Sequence, residues 1–195
     1  IEAEHIVICA HKSPDGDALG SSLAWKSYLN QIGKTDVTVC MPDAYPDFLQ
    51  WLPEANTVLR YDKNPEKVQE TFNRADLVCC LDFNQYARVE AMRSTLEGCK
   101  AKRILIDHHL EPQTDNAITI SQPNMSSTSE MIFYIISQLG GYNDMTKDCA
   151  QCIYCGMMTD TGGFTYNSTR PEIYFVIGQL LSKGIDKDNI YNRVF

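Results

Sequence analysis

Acidic and histidine residues stand directly after short apolar runs in this sequence, at spacings that suit metal coordination. The first group is His11-Lys12-Ser13-Pro14-Asp15-Gly16-Asp17, following Ile6-Val7-Ile8-Cys9-Ala10. Asp82 follows the run ending at Leu81, and Asp107-His108-His109 follows the run ending at Ile106. A further acid, Asp160, lies in Met158-Thr159-Asp160-Thr161-Gly162-Gly163-Phe164. Each piece alone has a plainer reading. Asp15 and Asp17 could cap a helix beginning near Ala18, Asp82 could open a loop, and His108-His109 could form a turn with its hydrogen bonds satisfied. Gathered together, however, the carboxylates at 15, 17, 82, 107 and 160 with His11 and His108 would repel strongly without cations. Mixed Asp and His donors suit manganese, in octahedral sites that retain water. So many donors require two ions. Such a pair, about 3.5–4 Å apart, lowers the pKa of a shared water and clamps both oxygens of an in-line phosphoryl displacement. Hydrolysis of a phosphate ester is the expected chemistry.

These residues can meet only if one fold brings the ends of several strands to a common edge. Short β-rich runs alternate with longer helical segments, the pattern of an α/β protein with a mainly parallel sheet. Strands are expected at Ile6 to Ala10, Asp36 to Cys40, Val58 to Arg60, Leu77 to Leu81 and Arg103 to Ile106. Helices are expected at Ala18 to Ile32, Pro65 to Arg74 and Tyr86 to Leu96. The five strands predict a doubly wound sheet flanked by helices, with Ile118 to Ser121 as a candidate last strand. The second half is helix-rich, with helices expected at Ser127 to Gly140, Thr146 to Met158, Pro171 to Ser182 and Asp188 to Val194. A doubly wound sheet binds its ligands outside the carboxyl ends of the strands, which is where the acids and histidines stand.

Composition narrows the functions. The 195 residues carry a net charge of −8, against a protein that grips long nucleic acid through excess Lys and Arg. No apolar run approaches a membrane span. The eight cysteines lie largely inside apolar runs such as Val78-Cys79-Cys80-Leu81, which reads as reduced, buried thiols and a cytoplasmic location. Cys149, Cys152 and Cys155 make overlapping C-x-x-C spacings, but at i, i+3, i+6 of an apolar helix they read as small core residues rather than a zinc site. Trp25, Tyr28, Phe48 and Trp51 are expected to be buried rather than to stack a base. Gly140-Gly141 reads as a helix end, not a phosphate loop.

Taken in order, the motifs resemble the DHH phosphoesterase family, whose name is spelled here by Asp107-His108-His109. The segment His11 to Ser21, Leu81-Asp82 with Arg88, and Thr159-Asp160 match the other family motifs, and the resemblance runs from about His5 to Gly184. The wording of Asp15-Gly16-Asp17-Ala18-Leu19-Gly20-Ser21, Ser126-Ser127-Thr128-Ser129-Glu130 and Thr159 to Phe164 is most similar to the nanoRNase and pAp-phosphatase branch. The resemblance implies a metal-dependent phosphoesterase acting on pAp, short oligonucleotides or dinucleotides with two divalent ions, manganese being expected. It implies that His11, Asp15 and Asp82 hold one ion and Asp17, Asp82, His108 and Asp160 the other, with Asp82 bridging. His109 would face the substrate phosphate or the leaving group, Asp107 would orient a ligand from behind, and Arg88 would bind phosphate. Expected partners are a small phosphorylated nucleotide or short oligonucleotide and a second copy in a homodimer, with neither long nucleic acid nor a membrane. Family members of this branch continue into a smaller C-terminal domain, so residues 1–195 are read as the catalytic domain without it. The alternatives are a pyrophosphatase or exopolyphosphatase sharing the same ligands, and a nucleotide-binding regulatory module without turnover. A RecJ-like exonuclease on long single strands fits less well, because such a substrate needs a basic groove.

Overall fold

In the computed structural model, which describes residues 2–195, β1 (His5–Cys9) is buried over nearly its whole length. Ile6 and Ile8 join a core on one face of the sheet, and Val7 and Cys9 join a second core on the other. A strand covered on both faces carries an unbroken apolar run rather than an alternation. With β2 (Asp36–Met41), β3 (Leu59–Arg60), β4 (Leu77–Leu81), β5 (Lys102–Asp107) and β6 (Ile118–Ser121) it forms a six-stranded sheet in the order β3-β2-β1-β4-β5-β6. All pairings are parallel. The doubly wound architecture is the expected one, and the candidate strand at Ile118 is its sixth member. β6 is one of the two edge strands, half-exposed or exposed at every position, so its apolar signal is weak.

Helices cover both faces. α1 (Gly16–Gln31), α4 (Thr128–Gln138), α5 (Lys147–Asp160), α6 (Pro171–Leu181) and α7 (Lys187–Val194) contribute to the larger core. α2 (Pro65–Arg74) and α3 (Arg93–Gly98) close the smaller one through Val68, Phe72 and Leu96. The helix expected over Tyr86 to Leu96 is interrupted. A 3₁₀ segment over Tyr86–Met92 precedes α3, and Glu90 within it adopts φ 40°, ψ −110°. The break has a tie across the sheet edge: the Lys12 amide donates to the Arg88 carbonyl at 2.8 Å, and Lys12 Nζ pairs with Glu90 at 2.7 Å. A continuous helix would not place both partners beside the segment leaving β1.

All eight cysteines are buried and free. Burial pushes the Cys149 and Cys155 thiols up to about 12, and among the described residues no group of metal donors includes a cysteine. Of the four aromatics expected inside, Trp25 and Tyr28 are buried, but Phe48 is exposed. Trp51 is half-buried, with the Arg193 guanidinium over its ring. No helix among the described residues is long and apolar enough to cross a membrane.

Candidate metal centre

The chain runs outward from β1 to β3, then returns to the other side of β1 to lay down β4, β5 and β6. That reversal opens a crevice beyond the carboxyl ends of β1 and β4. Register sets the depth of each ligand. Cys9 lies opposite Cys80 and Leu81 opposite Ile106, so His11, Asp82 and Asp107 to His109 emerge at one level. Asp82 leaves β4 at φ 63°, a left-handed backbone that an Asp tolerates better than most residues.

Asp17 and Asp160 arrive from helices. Asp15 is the N-cap of α1, its Oδ1 accepting from the Asp17 and Ala18 amides at 2.9 and 3.0 Å, while its Oδ2 lies 3.9 Å from His11 Nε2. One carboxylate thus satisfies both the plain reading and the functional one. Asp160 ends α5, which must press against the start of α1 for Asp17 and Asp160 to meet. Two glycines allow it. A Cβ on Gly16 would come within 2.3 Å of Thr159 Oγ1, and one on Gly20 within 2.5 Å of the Cys152 carbonyl oxygen.

The donors fall into three overlapping groups, His11 with Asp15 and Asp82, Asp17 with His108 and Asp160, and Asp82 with His108 and His109. Asp82 faces both His11 and His108. Its Oδ2 is 3.4 Å from His11 Nε2 and its Oδ1 3.6 Å from His108 Nε2. His108 Nε2 is also 3.9 Å from Asp17 Oδ2 and 3.4 Å from Asp160 Oδ2. On the far side of each ring, His11 Nδ1 lies 2.7 Å from the Lys12 carbonyl and His108 Nδ1 3.3 Å from that of Met125. A carbonyl can only accept, so Nδ1 carries a proton and Nε2 is the nitrogen that each ring turns toward the carboxylates.

Electrostatics agree. Asp82 and Asp17 are buried, and among the described residues no Lys or Arg pairs with either of them or with Asp160. Burial first, then the charges of Asp17, Asp15 and Asp160, holds the Asp82 carboxyl well above the usual range. Burial likewise raises Asp17, against the pull of His108. Asp160 is raised to about 8, by burial and then by Asp17 and Asp15. A bound divalent ion inverts this logic, so the donor set fits one.

Asp107 and His109 form a unit of their own. Asp107 is buried; its Oδ1 lies 2.7 Å from His109 Nδ1, and its Oδ2 accepts from the His109 amide at 3.0 Å. This hydrogen bond raises the His109 pKa, against burial and the charge of Arg88. Asp107 therefore orients His109 rather than either histidine whose Nε2 faces the acids. Although His109 Nδ1 comes within 4.0 Å of Asp82, its bond to Asp107 occupies that nitrogen and leaves Nε2 free. Arg88 is exposed, near enough for its charge to reach His109.

Residues 5–157 match the model of the DHH family, N-terminal domain. The chain belongs to the DHH family. It is 31% identical over 189 residues to the protein named bifunctional oligoribonuclease and PAP phosphatase NrnA of Thermus thermophilus, covering 97% of this chain and 53% of that one. The chain thus spans about half the length of that relative. A crystal structure of an exopolyphosphatase-related protein from Bacteroides fragilis superposes with a TM-score of 0.97 at 50% identity, over 100% of this chain and 57% of the other. RecJ of Thermus thermophilus, solved with Mn²⁺, shares the fold at a TM-score of 0.51 and 14% identity, over 92% of this chain and 24% of that one.

In this DHH domain the crevice has a further wall that residue chemistry alone does not announce. The amides of Thr128 and Ser129, at the start of α4, donate to Asp17 Oδ2 and Oδ1 at 2.7 and 2.8 Å, and Thr128 Oγ1 donates to Asp82 Oδ1 at 3.0 Å. The signal available in the sequence is the hydroxyl run Ser126 to Ser129 with Glu130 behind it, a capping-box pattern that marks a helix start and hence amides able to meet an anion.

Proposed function

We propose that this chain is the catalytic part of a metal-dependent phosphoesterase acting on pAp, short oligonucleotides or dinucleotides with two divalent ions, manganese being the expected one. The observation that carries the reading is Asp82, whose two oxygens face different donor groups, Oδ2 toward His11 and Oδ1 toward His108. His11, Asp15 and Asp82 would hold one ion; Asp17, Asp82, His108 and Asp160 would hold the other. Two such ions supply an activated water and charge neutralisation on a transferring phosphoryl group. The other roles belong to side chains. Asp107 fixes the ring of His109 and favours its protonated form, so His109 can hold a proton at Nε2 for the phosphate or for the leaving oxygen. Arg88, exposed beside His109, supplies a second positive charge for phosphate. The names of the Thermus relative and of the Bacteroides neighbour support two substrate classes, nucleotides and polyphosphate. The Asp15-Gly16-Asp17-Ala18-Leu19-Gly20 wording favours the nucleotide.

Incubation with manganese and pAp, a linear dinucleotide, a cyclic dinucleotide or pyrophosphate separates these classes. Release of phosphate from pAp or of mononucleotides from the linear dinucleotide is expected. Turnover of pyrophosphate alone would overturn the nucleotide reading.

A further inference from the structure

Behind the metal-facing side chains lies a half-buried ion pair that takes no part in the chemistry just described. Glu130, fully buried on the first turn of α4, has four donors on its two oxygens. Oε2 accepts from the Ser126 amide and the Ser126 hydroxyl, both at 2.7 Å, and from Arg170 Nη1 at 3.3 Å, while Oε1 accepts from Arg170 Nη2 at 3.0 Å. Arg170 Nη1 also donates to the Asn124 carbonyl at 3.0 Å. The pair therefore cross-links the backbone of 124–126 to residue 170.

The plain reading is a helix cap, since Ser127 Oγ accepts from the Glu130 amide at 3.0 Å. A cap needs neither burial nor an arginine. A buried ion pair is seldom more stabilising than an apolar pair of the same size, but an apolar pair could not hold the backbone groups at Asn124 and Ser126. The clamped segment has a purpose on its other side. Its Met125 carbonyl meets His108 Nδ1 at 3.3 Å, and the Thr128 and Ser129 amides that follow it meet Asp17. Arg170, for its part, closes the loop that leaves Asp160 and precedes α6. One ion pair thus reaches the support of Asp17 and His108.

We propose that Glu130 and Arg170 are positioning residues for the metal position formed by Asp17, His108 and Asp160, holding the Asn124–Ser129 segment so that it sets the His108 tautomer and the orientation of Asp17. The proposal rests on the metal reading above and deepens it. The position at His11 and Asp15 meets the clamped segment only through the shared Asp82, which accepts from Thr128 Oγ1 at 3.0 Å.

The test is a calorimetric manganese titration of the protein and of Arg170→Met, with histidine ring-nitrogen shifts recorded on the metal-free forms. Arg170→Met weakens one of the two manganese sites by about ten-fold to a hundred-fold, the usual cost of losing a group that supports a ligand, and weakens the other, which meets the segment only at the shared Asp82, by less. His108 leaves its Nδ1-protonated tautomer while His11 keeps it. Arg170→Lys, which retains the charge but not the two-pronged geometry, weakens the same site and carries the same two readings if Arg170→Met does not fold. Two sites of wild-type affinity, or two weakened alike with the His108 tautomer intact, would overturn the proposal and leave the metal reading standing. A wild-type protein that takes up no manganese would overturn both.

Discussion

Asp82 concentrates the conflict at the residue scale: it is buried, backed by like charges and held in a left-handed backbone. Asp82→Asn keeps the shape and a residue that tolerates this backbone, so it isolates the charge. The metal-free variant melts above wild type, because it no longer has to hold a proton on an acid that burial and neighbouring acids keep from ionising, yet it loses most of the stabilisation by manganese. For wild type that stabilisation is about 2.7 kcal/mol at a hundred times the dissociation constant, and Cys152→Ala retains it. Equal manganese-induced shifts in wild type and Asp82→Asn would remove Asp82 from both positions. His109 separates binding from chemistry. His109→Ala keeps the manganese-induced shift but loses roughly a hundred-fold or more in hydrolysis, whereas His108→Ala loses both. Steady-state rates beside melting curves decide it, and a His109→Ala protein that no longer responds to manganese would mean that the two histidines have exchanged roles.

At the scale of elements, the site depends on how closely α5 lies against α1. Gly20→Ala puts a methyl into the Cys152 carbonyl, a backbone atom that cannot swing aside. The helices must part, which costs about 1–3 kcal/mol as overpacking does, and Asp160 moves away from Asp17. A lower melting temperature and a weakened manganese response are expected together. A variant with unchanged metal response would show that the close crossing serves packing alone. Much of this was legible in the residues. The strand beneath Asp82 was plain because a strand buried on both faces is an unbroken apolar run, and the acids at the strand ends follow from topology. What was not legible depended on tertiary contacts. The role of α4 lies in backbone amides, which no side chain advertises; the break at Glu90 accompanies a tie to Lys12, in the loop after β1; and Phe48, with apolar neighbours in sequence, stands exposed because the 3₁₀ turn at Asp47–Leu49 buries Leu49 instead.

Across the whole molecule, the acid cluster should govern how stability responds to pH. Without metal, Asp160 titrates near 8 rather than at its ordinary 3.8, so between these values the folded protein holds a proton that the unfolded chain has lost. Stability then falls as pH rises. Asp82 and Asp17, also raised, add the same sign, as does the raised His109 on passing through its folded value. The metal-free melting temperature therefore declines from about pH 4 toward pH 8, and Asp160→Asn flattens that decline. Manganese opposes it, because the ion competes with protons for these donors and binds more tightly as pH rises. A metal-free melting temperature that rises over the same interval would contradict the cluster's charge state.

The most direct measurement of the central claim is anomalous diffraction from crystals of the protein grown with manganese. Two peaks are predicted in the crevice beyond β1 and β4, one among His11, Asp15 and Asp82 and one among Asp17, His108 and Asp160, with Asp82 touching both. A single peak, or peaks that leave Asp82 in contact with only one ion, would contradict the account.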